Sequence, residues 1–397
     1  MIINFLIIIQ VDFMKILMYK WKAYNHEDLK QNLIGRGHEV TEITGELKTF
    51  EADEAFEEKL IKTIKCGSYD LMMSINYFPL ISDICESAGL KYVSWCCDSP
   101  ISTMYHESIF NGVNVVFTFD KINQLEFEDM GAPVYYLPLC GNEERSRKAI
   151  NSATPDGCRS EISFVGSMYN KNSYDEVYEH FTEYMKGYFD SALKLQTKVY
   201  GDYLLDDVLD GDMLAELEKC FRIEKSDRSF SDMSLMFSTT VLSYKIAQLE
   251  RREVIGVLSP HFDMDVYTDD ESGFVRARNR GLADYWKETP VIFNRSRINL
   301  NLTLRSIRSG IPLRVWDIMA AGGFCISNRQ AEMPLFFKEN EDIVYFSDME
   351  ELVDKAGYYL KHDDERRKIA SSAYEKVSRY HTYTDRIDEM AEYIPGM

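Results

Sequence analysis

Between Thr289 and Trp316 the chain carries no Asp or Glu, yet those 28 residues hold Arg295, Arg297, Arg305, Arg308 and Arg314. The whole sequence has 45 Lys+Arg against 65 Asp+Glu, a formal net charge of −20, so a local run of five positive charges is an outlier. The planar, forked donors of arginine suit phosphate and carboxylate oxygens. The run leads into Arg308-Ser309-Gly310-Ile311-Pro312-Leu313-Arg314-Val315-Trp316-Asp317-Ile318-Met319-Ala320-Ala321-Gly322-Gly323-Phe324. Here a Gly-Pro turn feeds a short helix expected over Leu313–Ala320, and Gly322-Gly323 stops it. A helix N-terminus presents free N–H groups and positive potential, which favours an anion such as phosphate. Arg308 and Arg314 converge on that point. Asp317, one turn after Arg314, can accept two hydrogen bonds from a diol; its plainer reading is a surface pair with Arg314. Arg295, Arg297 and Arg305 read more simply as ion-pair partners of carboxylates elsewhere.

A second candidate is Phe164-Val165-Gly166-Ser167-Met168-Tyr169-Asn170-Lys171. A strand ends at Gly166-Ser167, where backbone can approach a ligand, and Lys171 follows within reach of a phosphate. A plain structural turn is the competing reading. The seven histidines form no HExxH or paired-ligand spacing. The eight cysteines (Cys66, Cys85, Cys96, Cys97, Cys140, Cys158, Cys220 and Cys325) form no CxxC pair. No metal site is therefore expected, and scattered free thiols in so long a chain fit a cytoplasmic location.

These residues need elements to hold them. Residues 14–145 alternate short apolar strands with helices. Strands are expected at Lys15–Tyr19, His38–Ile43, Asp70–Ser74, Lys91–Trp95, Asn114–Phe119 and Val134–Leu137. Helices are expected at Glu27–Leu33, Ala55–Lys65 and Leu80–Ala88. This is the pattern of a parallel sheet covered on both faces. Ligand sites in such sheets lie beyond the carboxyl ends of the strands. Asn76–Phe78, Asp98–Pro100 and Asp120 fall on that rim. Residues 142–159 are polar and read as a linker. A second unit over 156–380 starts with strand Glu161–Val165 and carries a helical insertion over about 174–250. Strands follow at Glu253–Leu258, Val291–Asn294, Ile298–Leu302, Phe324–Ser327 and Asp342–Phe346. Ser347-x-x-Glu350 reads as a capping box before helix Leu352–Leu360. A further helix spans Asp363–Val377, and 381–397 is a tail with a last helix. The fold class is α/β, two units facing across a cleft.

Composition narrows the rest. The chain has 397 residues, 45% hydrophobic and 28% charged, ordinary for a folded protein of two or three domains. A net charge of −20 repels a phosphate backbone, so nucleic acid is not an expected partner. The apolar start, MIINFLIIIQVDF, is too short to span a bilayer, lacks a basic n-region, and reads as an extension over 1–13.

The stretch INLNLTLRSIRSGIPLRVWDIMAAGGFCISN, with LFF, YF, EELVDKAGYYL, ERRKIA and HTY after it, resembles the C-terminal half of CgeB-type, spore-maturation-protein-like glycosyltransferases. INYFPLISDICESAGLKYVSWCCDSP and VYYLPLCGN resemble their N-terminal domain. The resemblance covers most of residues 14–390. It implies a GT-B fold of two Rossmann-like domains, with a nucleotide-sugar donor (UDP-linked first) held by the C-terminal one. No cofactor or metal is implied, because basic side chains and a helix N-terminus neutralise the leaving diphosphate. In related retaining enzymes two glutamates eight apart flank this helix. Asp317 stands at the second place, the ribose contact. Ser309 stands at the first, a departure that leaves the stereochemical outcome open. Gly166, Ser167 and Lys171 match the diphosphate loop, Gly310, Gly322 and Gly323 the donor-side turns, and Tyr345 the lining of the base. Arg308 and Arg314 would stabilise the departing diphosphate. A base, if the reaction inverts, would come from the N-terminal rim, with Asp98 first and His106 second. Tyr77 and Phe78 are the rings expected to meet an acceptor, which the resemblance leaves open as a glycan, a protein or a small molecule. The alternatives are a catalytically silent nucleotide- or glycan-binding module of the same fold and a sugar-nucleotide epimerase on a similar architecture. A homo-oligomer is left open.

Overall fold

The computed structural model describes residues 13–397 except 155–159, 223–224, 271–272, 275 and 395–396. Cys158 and residues 1–12 of the expected extension lie outside the described residues. The N-terminal half runs β1 (Lys15–Lys20), α1 (His26–Gly35), β2 (Glu39–Thr44), α2 (Glu54–Cys66), β3 (Leu71–Ile75), α3 (Pro79–Ala88), β4 (Lys91–Trp95), β5 (Asn114–Thr118), α4 (Lys121–Asp129) and β6 (Val134–Tyr136). Its sheet is parallel throughout, in the order β2-β1-β3-β4-β5-β6. Period-two alternation gives each strand two buried faces: Ile16 and Met18 enter one core, Leu17 and Tyr19 the other.

The second half runs α5 (Glu143–Ser152), β7 (Ile162–Val165), α6 (Ser173–Tyr178), α7 (Glu183–Gln196), α8 (Gly211–Cys220), α9 (Met233–Met236), α10 (Ser243–Leu258), β8 (Met264–Tyr267), β9 (Arg278–Asn279), α11 (Thr289–Arg295), β10 (Ile298–Asn301), α12 (Leu313–Ala320), β11 (Cys325–Asn328), α13 (Met333–Phe336), β12 (Val344–Phe346), α14 (Met349–Lys361), α15 (Asp363–Tyr380) and α16 (Tyr383–Ala391). A second parallel sheet has the order β12-β11-β10-β7-β8-β9. Helices α6 to α10 are inserted between β7 and β8. They form a small core of their own around Tyr174, Phe181, Phe189, Phe237 and Leu242.

Four local readings are corrected. Glu253–Leu258 is the end of helix α10, not a strand. Val254, Ile255 and Leu258 fall on one helical face and bury against the second sheet, so the β-branched run reflects packing rather than extension. Val291–Asn294 is helical within α11, where Pro290 sits at the first turn and Val291, Ile292 and Phe293 are buried. The polar segment after Asn142 is not a loop: Asn142 caps α5 through a 2.9 Å bond from the Arg145 N–H. The cap of α14 is Asp348, which accepts from Glu351 N–H, one residue later than the box expected at Ser347.

Among the described residues, three of the ties between the halves bear on the site. Helix α16 returns to the first sheet, where buried Arg386 donates from Nε to the Pro138 carbonyl at 2.9 Å. The insertion reaches over the first sheet's rim: Phe230 N–H donates to the Tyr105 carbonyl at 2.9 Å, and Glu107 N–H to the Arg228 carbonyl at 3.0 Å. Arg228 there forks onto Asp83 at 2.6 and 3.1 Å. The third tie joins the two rims directly. Asp120, the cap of α4, accepts from Arg308 N–H at 2.8 Å and from the Ser309 hydroxyl at 2.7 Å.

Candidate functional site

The five arginines of the acid-free run separate by partner. Arg305 forks onto Glu250 at 2.8 and 2.5 Å, both side chains buried, with its guanidinium 4.2 Å from the Tyr200 ring centre. Arg297 binds Asp363 at 2.5 Å and the Leu360 carbonyl. Arg308 meets Asp206 of the insertion at 2.6 Å and lines a small cavity with Tyr203 and Gln330. Arg295 lies on another cavity wall with Arg280 and Leu282. Arg314 differs. Its guanidinium lies 5.3 Å from the Phe293 ring, its nearest carboxylate oxygen is Asp317 Oδ2 at 3.9 Å, and Nη1 is buried without a hydrogen-bond partner.

Arg314 is the second residue of α12, whose bounds, Leu313–Ala320, are those expected from the sequence. Gly310 brings the turn ahead of it against the other half: a Cβ there would stand 2.7 Å from the Phe119 ring and 2.8 Å from its carbonyl. Gly323 packs equally closely behind, where a Cβ would meet the Phe293 carbonyl at 2.7 Å, and Gly322 takes the left-handed turn at φ 72°. Asp317 is buried on the same helix. Its Oδ1 accepts from Arg145 Nη2 at 2.9 Å and from the Tyr285 hydroxyl at 3.0 Å. Arg145 also faces Asp28 at 3.1 Å, so one guanidinium is shared by two carboxylates from opposite halves. Burial pushes the Asp28 carboxyl up to about 7, with the Asp317 charge adding to it and Arg145 and Asn142 opposing.

Gly166 and Ser167 follow β7 at the rim, and Ser167 and Lys171 are exposed. Arg251, on α10, anchors this loop by donating from Nη1 to the Ser167 carbonyl at 2.5 Å and from Nη2 to the Leu302 carbonyl at 2.9 Å. Burial lowers the pKa of Arg251, and the nearby Arg314 charge pushes the same way. Tyr169, held at φ 51°, stacks on Tyr244 with ring centres 4.9 Å apart and lies 4.7 Å from the Arg251 guanidinium. Nothing in composition or spacing had singled out Arg251 or Tyr244. The only sequence trace is the charged Glu250-Arg251-Arg252 step inside an apolar helix.

On the opposite rim Asp98 keeps an exposed face. Protein on its other sides displaces solvent, which holds its carboxyl above the ordinary range; the 2.7 Å bond from Asn76 Nδ2 works the other way. The Asn76 Oδ1 accepts from Cys97 N–H at 2.8 Å, so one side chain, on a residue at φ 62°, fixes both ends of the Cys97–Asp98 turn. Burial raises the Tyr244 pKa, with the charges of Tyr169 and Asp98 adding to it. His106 is buried. Its Nδ1 pairs with Ser108 at 2.8 Å, its Nε2 lies 3.9 Å from Glu51, and burial lowers its pKa. Tyr77 and Phe78, expected at the rim, have their rings buried in the core. Tyr77 bonds Ser108 from the core, and Phe78 is buried among Tyr19, Trp21 and Phe50. Tyr345 is buried in the core shared by the two halves, its hydroxyl without a partner.

Ser309, where a carboxylate is missing, has two beside it. Its hydroxyl lies 2.7 Å from Asp120 Oδ1 and 2.6 Å from Glu332 Oε1. Glu332 also accepts from Lys121 N–H at 2.7 Å and from the Tyr136 hydroxyl at 2.5 Å. Burial raises the Glu332 pKa, with the bonds from Ser309, Tyr136 and Lys121 opposing it. The cluster joins the rims; its polar atoms are spent on one another. Among the described residues, no three His, Cys, Asp or Glu side chains converge as a metal site, and no helix is long and apolar enough to cross a membrane.

The whole chain superposes on the Anabaena protein HepE, solved with UDP and glucose, at a TM-score of 0.56 and 10% identity, covering 97% of this chain and 100% of that one. The fold is GT-B. Sucrose-phosphate synthase from Thermosynechococcus elongatus matches with a TM-score of 0.54 and 9% identity over 96% of this chain and 98% of that one. A glycosyltransferase from Rickettsia africae matches at 0.53 and 10% over 96% and 97%. In sequence, residues 245–392 match a family model described as glycosyl transferase-like. No curated protein matches the sequence.

Proposed function

We propose that this protein transfers a sugar from a nucleotide-sugar donor, UDP-linked first, to an acceptor hydroxyl, as a CgeB-type glycosyltransferase. The observation that carries this is Arg314. It stands at the start of an eight-residue helix with a buried, unpartnered Nη1, and its charge acts on Arg251, which anchors the Gly166–Ser167 loop. Two guanidinium groups and a helix N-terminus repel one another until an anion sits between them. A diphosphate is such an anion, and the solved HepE complexes hold UDP and UDP-glucose.

In the reaction the acceptor oxygen bonds to the anomeric carbon as the bond from that carbon to the phosphate oxygen breaks. The electron pair leaves with the nucleoside diphosphate, where Arg314, Lys171 and the α12 N–H groups take up the growing charge in place of a metal ion. Asp98 takes the acceptor's proton. A carboxylate with a raised pKa and an open face is a better base than an ordinary one. Asp317 reaches the ribose only as far as Arg145 and Tyr285 leave it room. The seven described cysteines are free thiols, which supports a cytoplasmic location.

Isothermal titration with UDP and UDP-glucose tests the donor reading. Wild type should bind, and Arg314→Ala should lose about 10–100-fold in affinity, the worth of one charged hydrogen-bond set. Binding unchanged in Arg314→Ala would overturn it. Asp98→Asn should keep donor affinity and lose about 10²–10⁴-fold in kcat. Full activity in EDTA is expected.

A further inference from the structure

Asn76 follows β3 with its backbone at φ 62°, the left-handed region that suits glycine and strains a residue with a side chain. The residue is buried, and its main chain is tied on both sides. Its N–H donates to the Trp95 carbonyl at 3.0 Å, and its carbonyl accepts from the Ser74 hydroxyl at 2.6 Å. With that proton spent, Ser74 Oγ accepts from the Tyr92 hydroxyl at 2.7 Å, and Tyr92 Oη accepts in turn from Phe78 N–H at 3.1 Å. Ser74 and Tyr92 are both buried. The fold thus holds an asparagine where glycine would sit more easily, and strain held in this way points to a use for the side chain.

The amide can face only one way. Cys97 N–H is a donor, so the atom 2.8 Å from it is the amide oxygen, and the amide NH2 is the end that meets Asp98 Oδ2 at 2.7 Å. Strands β3 and β4 pair through Ile75 and Trp95, so this contact joins two neighbouring strand ends at the centre of the rim. An amide NH2 has no lone pair with which to meet a proton on Oδ2, whereas Oδ1 receives no hydrogen bond from the described residues. Cys96 and Cys97 on the same turn and Tyr244 on α10 are the other titratable groups that sense the Asp98 charge, and burial raises the pKa of each, which keeps all three neutral.

We propose that Asn76 is the positioning residue of the candidate base: it clamps Oδ2 of Asp98 and leaves Oδ1 as the one atom that takes the acceptor's proton. The proton leaves the acceptor oxygen as that oxygen bonds to the anomeric carbon, and Asp98 ends as a neutral acid with the proton on Oδ1. This rests on the reading of Asp98 as base and adds the atom that reacts and the residue that aims it. The clamp also tunes the base: burial pushes the Asp98 carboxyl up and the Asn76 bond draws it back.

Two variants and two readouts test this on the full chain. Asn76→Gly keeps a backbone suited to φ 62° and loses both side-chain bonds. Asn76→Asp keeps an acceptor for Cys97 N–H and sets a second carboxylate against Oδ2. UDP release from UDP-glucose, with water as acceptor, is followed over about pH 4–9, where a carboxylate base titrates. Asn76→Gly should lose about 10–100-fold in kcat, the cost of a base free to swing, with KM within about 2-fold of wild type. The acid limb of the rate should move to higher pH in both variants, and farther in Asn76→Asp, where like charge adds to the lost bond. The second readout is a 13C titration of the Asp98 carboxyl, assigned by its absence in Asp98→Asn, which should move the same way without reference to activity. Unchanged kcat in Asn76→Gly overturns the proposal, as does a lower kcat with the acid limb unmoved in both variants, which is what a merely structural residue would give. A carboxyl titration unmoved in both variants overturns the clamp itself. No UDP release by wild type, or full activity in Asp98→Asn, overturns the underlying base reading instead, and the carboxyl titration then reports on the clamp by itself.

Discussion

Arg305 and Arg314 lie nine residues apart in the same acid-free run. Arg305 is buried with Glu250 and stacked on Tyr200, and its charge is spent inside the protein. Arg314, at the start of α12, has no carboxylate within hydrogen-bond distance and one buried nitrogen without a partner. Arg145 is intermediate, one cation held by Asp28 and Asp317 together. A cluster of like charges in the sequence therefore does not mark a ligand site by itself. The member that stands apart is the one with a buried nitrogen the fold leaves without a hydrogen bond.

The sharpest way to break this contrast is to remove each cation. Arg305→Ala should cost about 3–5 kcal/mol in urea denaturation, because Glu250 is left buried and uncompensated. Arg314→Ala should change stability by less than about 1 kcal/mol. If the two variants lose the same stability, the contrast fails. The shared cation predicts a pH effect. The Asp28 carboxyl titrates at 3.8 as a free side chain and at about 7 in the native chain, so the native state holds the extra proton between those values. This contribution should be complete below about pH 4 and be lost as pH rises from there through about 7, by on the order of 4 kcal/mol. Asp28→Asn should flatten that slope; an unchanged slope would exclude Asp28 as its source. The smallest effect is expected at Lys171, which is exposed. Lys171→Ala should weaken UDP binding only about 2-fold, and the difference should vanish in high salt. A larger, salt-resistant loss would move the weight from Arg314 to this loop.

Much of the scaffold was legible in the residues. Strand Lys91–Trp95 and helix Leu313–Ala320 fall where period and turn residues place them. The misread segments, Glu253–Leu258 and Val291–Asn294, are short apolar runs whose period is the same for a buried strand and a buried helix; only the neighbours they pack against decide. The candidate site rests on local features. The turn before α12, the loop after β7 and the rim at Asp98 are local features, and sequence carries local features well. Arg251, Tyr244 and Glu332 were missed because each acts across a long separation, from the insertion to the Ser167 loop or from the β11 side to Tyr136. Tyr77 and Phe78 were overvalued because a rim position says where a residue starts, not which way its ring turns.

The short bridge between Ser229 and His106 has a consequence for turnover. Because the insertion grows from the second half and is fastened to the first, the halves cannot swing apart as free bodies. A separation of the halves would have to peel that bridge and its Arg228–Asp83 fork together with the Asp120–Ser309 and Arg386–Pro138 contacts, or bend the insertion along with the moving half.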